Sequence, residues 1–270
     1  MNKEVKKYVF YTYAIFWILL VLAGIVMMKY KQPWLPKVGF ILFSQVPTVV
    51  LLIRFKKLCP EITRKAFYRK LFKNKINYKT FSAVTLIMML LFFMAVAIVK
   101  FVYGESFTNL LNLSLKSMAI SFSYNFICGP IGEESGWRGF LHPIMEKRYG
   151  IIKGSLLIGI IWAMWHIPLW LISGYKGLNL LLYSISFIIC VTAFAVIIGI
   201  FYKHNNNLFV TMWMHLIFNF SLGLYKGNLL HMFTIFTMLY VVAAMGFVLW
   251  EKKQHRISQN SVLVTDLWPR

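Results

Sequence analysis

CGPIGEESGWRGFLHP, residues 128–143, is the stretch on which the reading of this chain turns. It sets two adjacent carboxylates, Glu133 and Glu134, and the cation Arg138 between apolar runs at roughly 116–131 and 151–172. Those runs are apolar enough to cross a bilayer, and acids are scarce elsewhere: Asp and Glu fill only eight of 270 positions. Charge near the bilayer core is costly unless it is paired or lines a wet cavity, so such residues mark function.

Composition points the same way. Apolar residues make up 59% of the chain, against about 45–50% in soluble domains. With long apolar runs recurring throughout, this describes a polytopic membrane protein. The net charge of +21 falls between and beside those runs, where Lys and Arg set topology and meet anionic lipid headgroups. No basic soluble segment is left over, so nucleic acid is excluded as a partner. Cys59, Cys128 and Cys190 share no metal-ligand spacing and form no even disulfide framework, and read as structural thiols.

The runs predict an all-α, polytopic transmembrane helical bundle of about eight helices, at approximately 8–28, 36–53, 80–103, 112–131, 151–172, 178–202, 207–224 and 229–250. About 20 residues cross the hydrocarbon layer. The first run follows Lys3, Lys6 and Lys7 but lacks a cleavage site, and reads as a retained anchor. Between the second and third runs lie Arg54, Lys56, Lys57, Arg64, Lys65, Arg69, Lys70, Lys73, Lys75 and Lys79. That loop, the amino terminus and the tail carrying Lys252, Lys253 and Arg256 are expected to be cytoplasmic, with both termini on one side. Short connections near 104–106, 173–177 and 225–228 then face outward, and the last dozen residues read as a loose tail. Part of 54–79 carries Phe55, Phe67 and Phe72 and is alternatively an interfacial helix.

Within the decisive stretch, Gly129 and Pro130 are expected to break the fourth run, with a new helix starting just after the proline. Carboxylates early in that helix gain from its positive end. Glu134 and Arg138 are four apart and share a face, so they can pair. Glu133 lies about 100° round the helix and is left for acid/base work. Gly132, Gly136 and Gly139 form a small-residue stripe where another helix can approach. A structural salt bridge clamping helices is the simpler reading, but it gives Glu133 no purpose.

Two histidines lie inside apolar runs: His166 in WAMWHIP (162–168) and His215 in WMHLIFN (213–219). His215 and Asn219 are four apart, so an imidazole and an amide address the same point. Imidazole moves protons near neutral pH or binds metal, and an amide steadies an oxyanion. His142, His204, His231 and His255 sit near run ends or in the tail and are left out of the site. Neither H-E-x-x-H nor G-x-S-x-G occurs, and Ser135 has no histidine arranged beside it as a nucleophile would need.

Taken together, these motifs resemble the CAAX-protease and bacteriocin-processing family of intramembrane proteases, also called abortive-infection-like. Its signature is Glu-Glu-x-x-x-Arg, then Phe-x-x-x-His, then His-x-x-x-Asn. Here the matching positions are Glu133, Glu134 and Arg138; Trp162 with His166; and His215 with Asn219. The resemblance covers roughly 112–224. Trp162 stands where the family usually has Phe, a departure expected to touch packing but not chemistry.

The resemblance implies a helical fold with a cavity open to cytosol and lipid, and peptide-bond hydrolysis near the membrane surface. It implies a catalytic set of Glu133, Glu134, Arg138, His166, His215 and Asn219. In the preferred mechanism Glu133 activates water with His166, while His215 and Asn219 stabilise the oxyanion, and no cofactor is expected. The alternative is zinc held by Glu133, His166 and His215; asparagine is a poor zinc ligand. The expected division is 1–110 amino-terminal helices with the basic loop, 111–226 protease core, and 227–270 last helix and tail. The expected partner is a membrane-associated protein or peptide substrate, in a bilayer with anionic headgroups, and the expected place is the bacterial cell membrane. A non-proteolytic transporter or bacteriocin-immunity protein using the same cavity is the main rival. A haem protein with His166 and His215 as axial ligands is the lesser one. Finally, a simple count of rise puts Glu133 and His166 about 15 Å apart in depth, so the Glu motif must lie on a tilted or re-entrant helix inside the membrane boundary.

Overall fold

The computed structural model describes residues 2–32 and 34–266, with side chains described as far as residue 254. Every expected apolar run is helical, and no strand occurs among the described residues. In chain order the helices are α1 (Lys3–Tyr30), the pair α2 (Leu35–Ser44) and α3 (Val46–Ile53), α4 (Phe55–Leu58), α5 (Arg64–Leu71), α6 (Tyr78–Tyr103), α7 (Phe107–Leu110) and α8 (Leu115–Phe126). After the carboxylate motif begins, α9 (Gly132–Glu134), α10 (His142–Tyr149), α11 (Ile151–Trp165), α12 (Ile167–Leu171), α13 (Gly177–Asn205), α14 (Leu208–Leu224) and α15 (Leu229–Asp266) follow.

Among the described residues, four of these helices are long and apolar enough to cross a membrane, and five if the bent pair α2–α3 counts as one span. The eight runs are therefore not eight equal rods. α8 has 12 residues, or about 18 Å of rise, and stops where Cys128 and Gly129 leave helical geometry before Pro130. The run at 151–172 divides at His166, where Pro168 opens α12 and cannot give its nitrogen to the ladder. α15 runs to Asp266 and takes in much of the stretch expected as a loose tail. Residues 267–270, and the side chains of His255 and Arg256, lie outside the described residues.

Connections gather at two ends of the bundle. At one end Tyr175 donates to Asn228 at 2.6 Å, Lys226 donates to the carbonyl of Thr108 at 2.7 Å, and His231 stacks flat on Tyr103. The three short connections expected to face outward therefore share an end. At the other end Arg54 pairs with Glu4, Asn207 donates to the Asn74 carbonyl at 2.5 Å, and Lys203 pairs with Glu251 at 2.7 Å. These contacts tie the amino terminus to the basic loop, the basic loop to the start of α14, and the end of α13 to α15. Within the basic loop, α5 turns Phe67 and Leu71 into the protein and leaves its charges outside.

Core packing combines aromatic faces with side-chain bonds to backbone, the cohesion available where apolar burial alone gives no preference between helix and lipid. The α1 helix is tied down by Tyr8 donating to the Pro47 carbonyl at 3.1 Å and Trp17 donating to the Trp165 carbonyl at 3.0 Å. Trp165 answers by donating to the Thr12 carbonyl at 3.2 Å. α13 packs along both α11 and α15, with Phe194, Phe218, Phe236 and Tyr240 interlocked edge to face and face to face.

The glycine stripe is what lets the motif segment into this core. A Cβ on Gly132 would collide with the carbonyl of Ser44 and lie 2.7 Å from Cα of Gln45, and one on Gly136 would strike the Tyr8 hydroxyl and meet Pro47. Gly139 faces Leu71 and Phe67 instead. Because the obstacle at Gly132 is backbone, a methyl has nowhere to go. Gly132→Ala is expected to cost about 3 kcal/mol, the upper end of overpacking penalties, read as a lowered unfolding midpoint in detergent. An unchanged midpoint would show that α2 and α3 can slide away.

Candidate active site

Beyond the break at Cys128 and Gly129, the chain re-enters helical geometry and runs through α9 into a widened helical segment, Ser135–Leu141. Such π-type turns shift side chains out of ordinary register and recur at functional sites. All of Glu133, Glu134 and Arg138 are buried.

The two carboxylates divide as their spacing suggests. Arg138 Nη1 donates to Glu134 Oε1 at 2.8 Å, with both side chains closed off from solvent. His215 Nδ1 reaches the same oxygen at 2.9 Å, so Glu134 joins the guanidinium and the imidazole. Glu133 turns the other way, and its Oε2 accepts from the indole N–H of Trp162 at 2.6 Å. The Arg138 guanidinium lies 4.1 Å from the centre of the Trp162 ring, a cation–π contact. His166 Nδ1 lies 2.8 Å from the Trp162 carbonyl. A carbonyl only accepts, so the proton sits on Nδ1 and the neutral ring keeps Nε2 as a base.

Glu133, His166, His215 and Asn219 line one cavity of about 190 Å³, together with Cys128 and Trp162. Apart from Ser44 its remaining wall is apolar, with Phe16, Phe40, Leu169, Phe187 and Phe233 among the lining side chains. Glu134 and Arg138 stand behind this wall. The expected depth mismatch between Glu133 and His166 is closed by the break before α9, which brings Glu133 against Trp162, one turn ahead of His166. Gly129 also belongs to the site. A Cβ there would lie 2.7 Å from Asn219 Nδ2 and 3.0 Å from His215 Nε2, so only glycine leaves those two groups open.

Two features escaped the sequence. Trp162 was expected to matter for packing alone, yet its ring nitrogen, ring face and carbonyl engage Glu133, Arg138 and His166. Gly129 was read as a helix breaker, not as a spacer beside an amide. Its place in front of a proline and a double carboxylate was the available signal. Elsewhere, His142 Nε2 lies 3.0 Å from Ser155 Oγ and its Nδ1 lies 3.8 Å from Glu146. That arrangement has a hydrolase's residue types, but Ser155 is fully buried and reads as a clamp between α10 and α11.

Glu133 Oε2 and the Nδ1 atoms of His166 and His215 each have another partner, so Glu133 Oε1 and the two Nε2 atoms are those that would hold a zinc ion. Among the described residues no three His, Cys, Asp or Glu side chains come together as a metal site requires.

Comparison with known proteins bears on the same segment. Residues 115–221 match the family model described as Type II CAAX prenyl endopeptidase Rce1-like. That range opens with α8 and closes within α14, so it holds both glutamates, both cavity histidines and Asn219. The chain is also 26% identical over 220 residues to the CAAX prenyl protease 2 of Methanococcus maripaludis, covering 77% of this chain and 79% of that protein. The motif-bearing core at residues 115–221 is thus similar to the CAAX prenyl endopeptidases, and its several long apolar helices make the chain a multi-pass membrane protein.

Proposed function

We propose that this protein hydrolyses peptide bonds of membrane-associated proteins or peptides by a glutamate mechanism, with Glu133 as the group that activates water. One observation carries the reading: Glu133, His166, His215 and Asn219 border a single cavity, while Glu134 and Arg138 are withdrawn behind it. An acid/base group, a second base and two oxyanion donors then face the same small volume. By analogy with the relative's name, a prenylated C-terminal CAAX peptide is the first substrate to try.

In the proposed cycle a cavity water gives a proton to Glu133, assisted by Nε2 of His166, as its oxygen bonds to the scissile carbonyl carbon. The resulting oxyanion is met by Asn219 Nδ2–H and by His215 Nε2–H. That donation requires a proton on each ring nitrogen of His215, because the Glu134 carboxylate accepts from Nδ1. Collapse of the intermediate breaks the C–N bond, and the proton taken from water passes from Glu133 to the leaving amine. Glu134 and Arg138 act by holding the His215 ring.

Asn219 separates this reading from mere binding. An oxyanion donor acts on the transition state, so Asn219→Ala is expected to lower kcat about 10²- to 10³-fold with little change in KM. The measurement is cleavage in proteoliposomes prepared with chelator. A change confined to KM would assign Asn219 to substrate binding instead, and activity that dies with chelation would contradict the glutamate mechanism.

A further inference from the structure

The indole at position 162 makes more contacts with the cavity's ionisable groups than any packing role needs. Its N–H donates to Glu133 Oε2 at 2.6 Å. Its ring face receives Arg138 at 4.1 Å, and its edge meets His215, centroid to centroid at 5.0 Å. Its carbonyl accepts from His166 at 2.8 Å. The ring itself is buried and cannot swing away without vacating the core.

We infer that Trp162 is a positioning residue: its indole N–H fixes the Glu133 carboxylate in one orientation, with Oε2 tied and Oε1 presented to the cavity. This rests on the reading of Glu133 as the water-activating group. A carboxylate in a small, mostly apolar cavity has few partners, and an untethered one can rotate towards the Arg138 guanidinium over the indole face. There it would form a closed ion pair and be lost to water. The indole N–H gives Oε2 a partner in place of the arginine, whose guanidinium is held over the ring face. The same residue sets the His166 ring through its main-chain carbonyl, so the two bases that share the water are registered to one residue. A phenylalanine retains the ring face and the main-chain contact and loses only the tether. The departure at this position is therefore a change in how the carboxylate is held.

Two readouts test this, one of them independent of any substrate. In protein carrying ¹⁵N-labelled tryptophan, the Trp162 indole resonance is identified by its absence from Trp162→Phe, or from Trp162→Tyr should the phenylalanine variant not fold. A short bond to a carboxylate moves that proton far downfield of the other indoles, and Glu133→Gln should return it upfield. A resonance that Glu133→Gln leaves unmoved overturns the inference. In cleavage of a prenylated CAAX peptide, Trp162→Phe should lower kcat about 10- to 100-fold, the worth of one hydrogen bond to a charged group, at nearly unchanged KM. An unaltered or higher kcat also overturns it, since a carboxylate that needs no tether gains reactivity when released. If the unmodified protein cleaves nothing while the indole shift behaves as stated, the protease reading fails and the tether stands.

Discussion

Glu133→Gln should abolish most of the activity, lowering kcat by about 10²- to 10⁴-fold, the range that a positioned acid/base group contributes. The substitution is close to isosteric, and a glutamine carbonyl can still accept from the Trp162 indole that now donates to Glu133 Oε2 at 2.6 Å. It removes a negative charge from a buried site, so the fold should be at least as stable. Loss of activity without loss of stability is the expected signature, measured as cleavage rate beside the thermal midpoint in the same detergent. Full activity in the variant would move water activation to His166 or elsewhere. Glu134→Gln should instead act through the orientation of His215, its partner at 2.9 Å.

The largest expected effect on stability comes from Arg138. Its side chain and that of Glu134 are 1% and 0% exposed. A pair so enclosed is weak evidence of stabilisation, but removing one member strands the other. Arg138→Met should cost about 3–5 kcal/mol, because it strands the Glu134 carboxylate with the His215 imidazole in place of the guanidinium. Adding Glu134→Gln to that variant should recover much of the loss, giving strong non-additivity in a double-mutant cycle. Activity should not recover, since the carboxylate partner of His215 is then gone. Additive effects on the unfolding free energy would mean that the two residues do not depend on each other.

Much of this arrangement was legible because it is local. The pairing of Glu134 with Arg138 follows from helical spacing, and the helix break at Gly129 and Pro130 from backbone chemistry. The stripe of Gly132, Gly136 and Gly139 foretold a close approach, which α2, α3 and α5 supply. What spacing does not carry is rotamer direction and long-range docking. His215 meets a carboxylate 81 positions earlier, and Trp162 reaches Glu133 across 29 positions. Both contacts depend on how the motif segment tilts after its break. The division of α11 from α12 is hidden for a related reason: hydropathy records apolar length and passes over Pro168. Asn219 was found through its spacing from His215, while Gly129 beside it shows its purpose only when the two groups it leaves uncovered are in place.

In the proposed function, the cavity bordered by Glu133, His166, His215 and Asn219 hydrolyses a peptide bond. Its most direct test is mass spectrometry of a prenylated CAAX peptide incubated with reconstituted protein in ¹⁸O-water. The account predicts a shortened peptide with one ¹⁸O atom in its new carboxyl terminus, formed by the unmodified protein and lost in Glu133→Gln and His166→Ala. Intact peptide carried into the vesicle lumen, or cleavage that neither substitution diminishes, would contradict it.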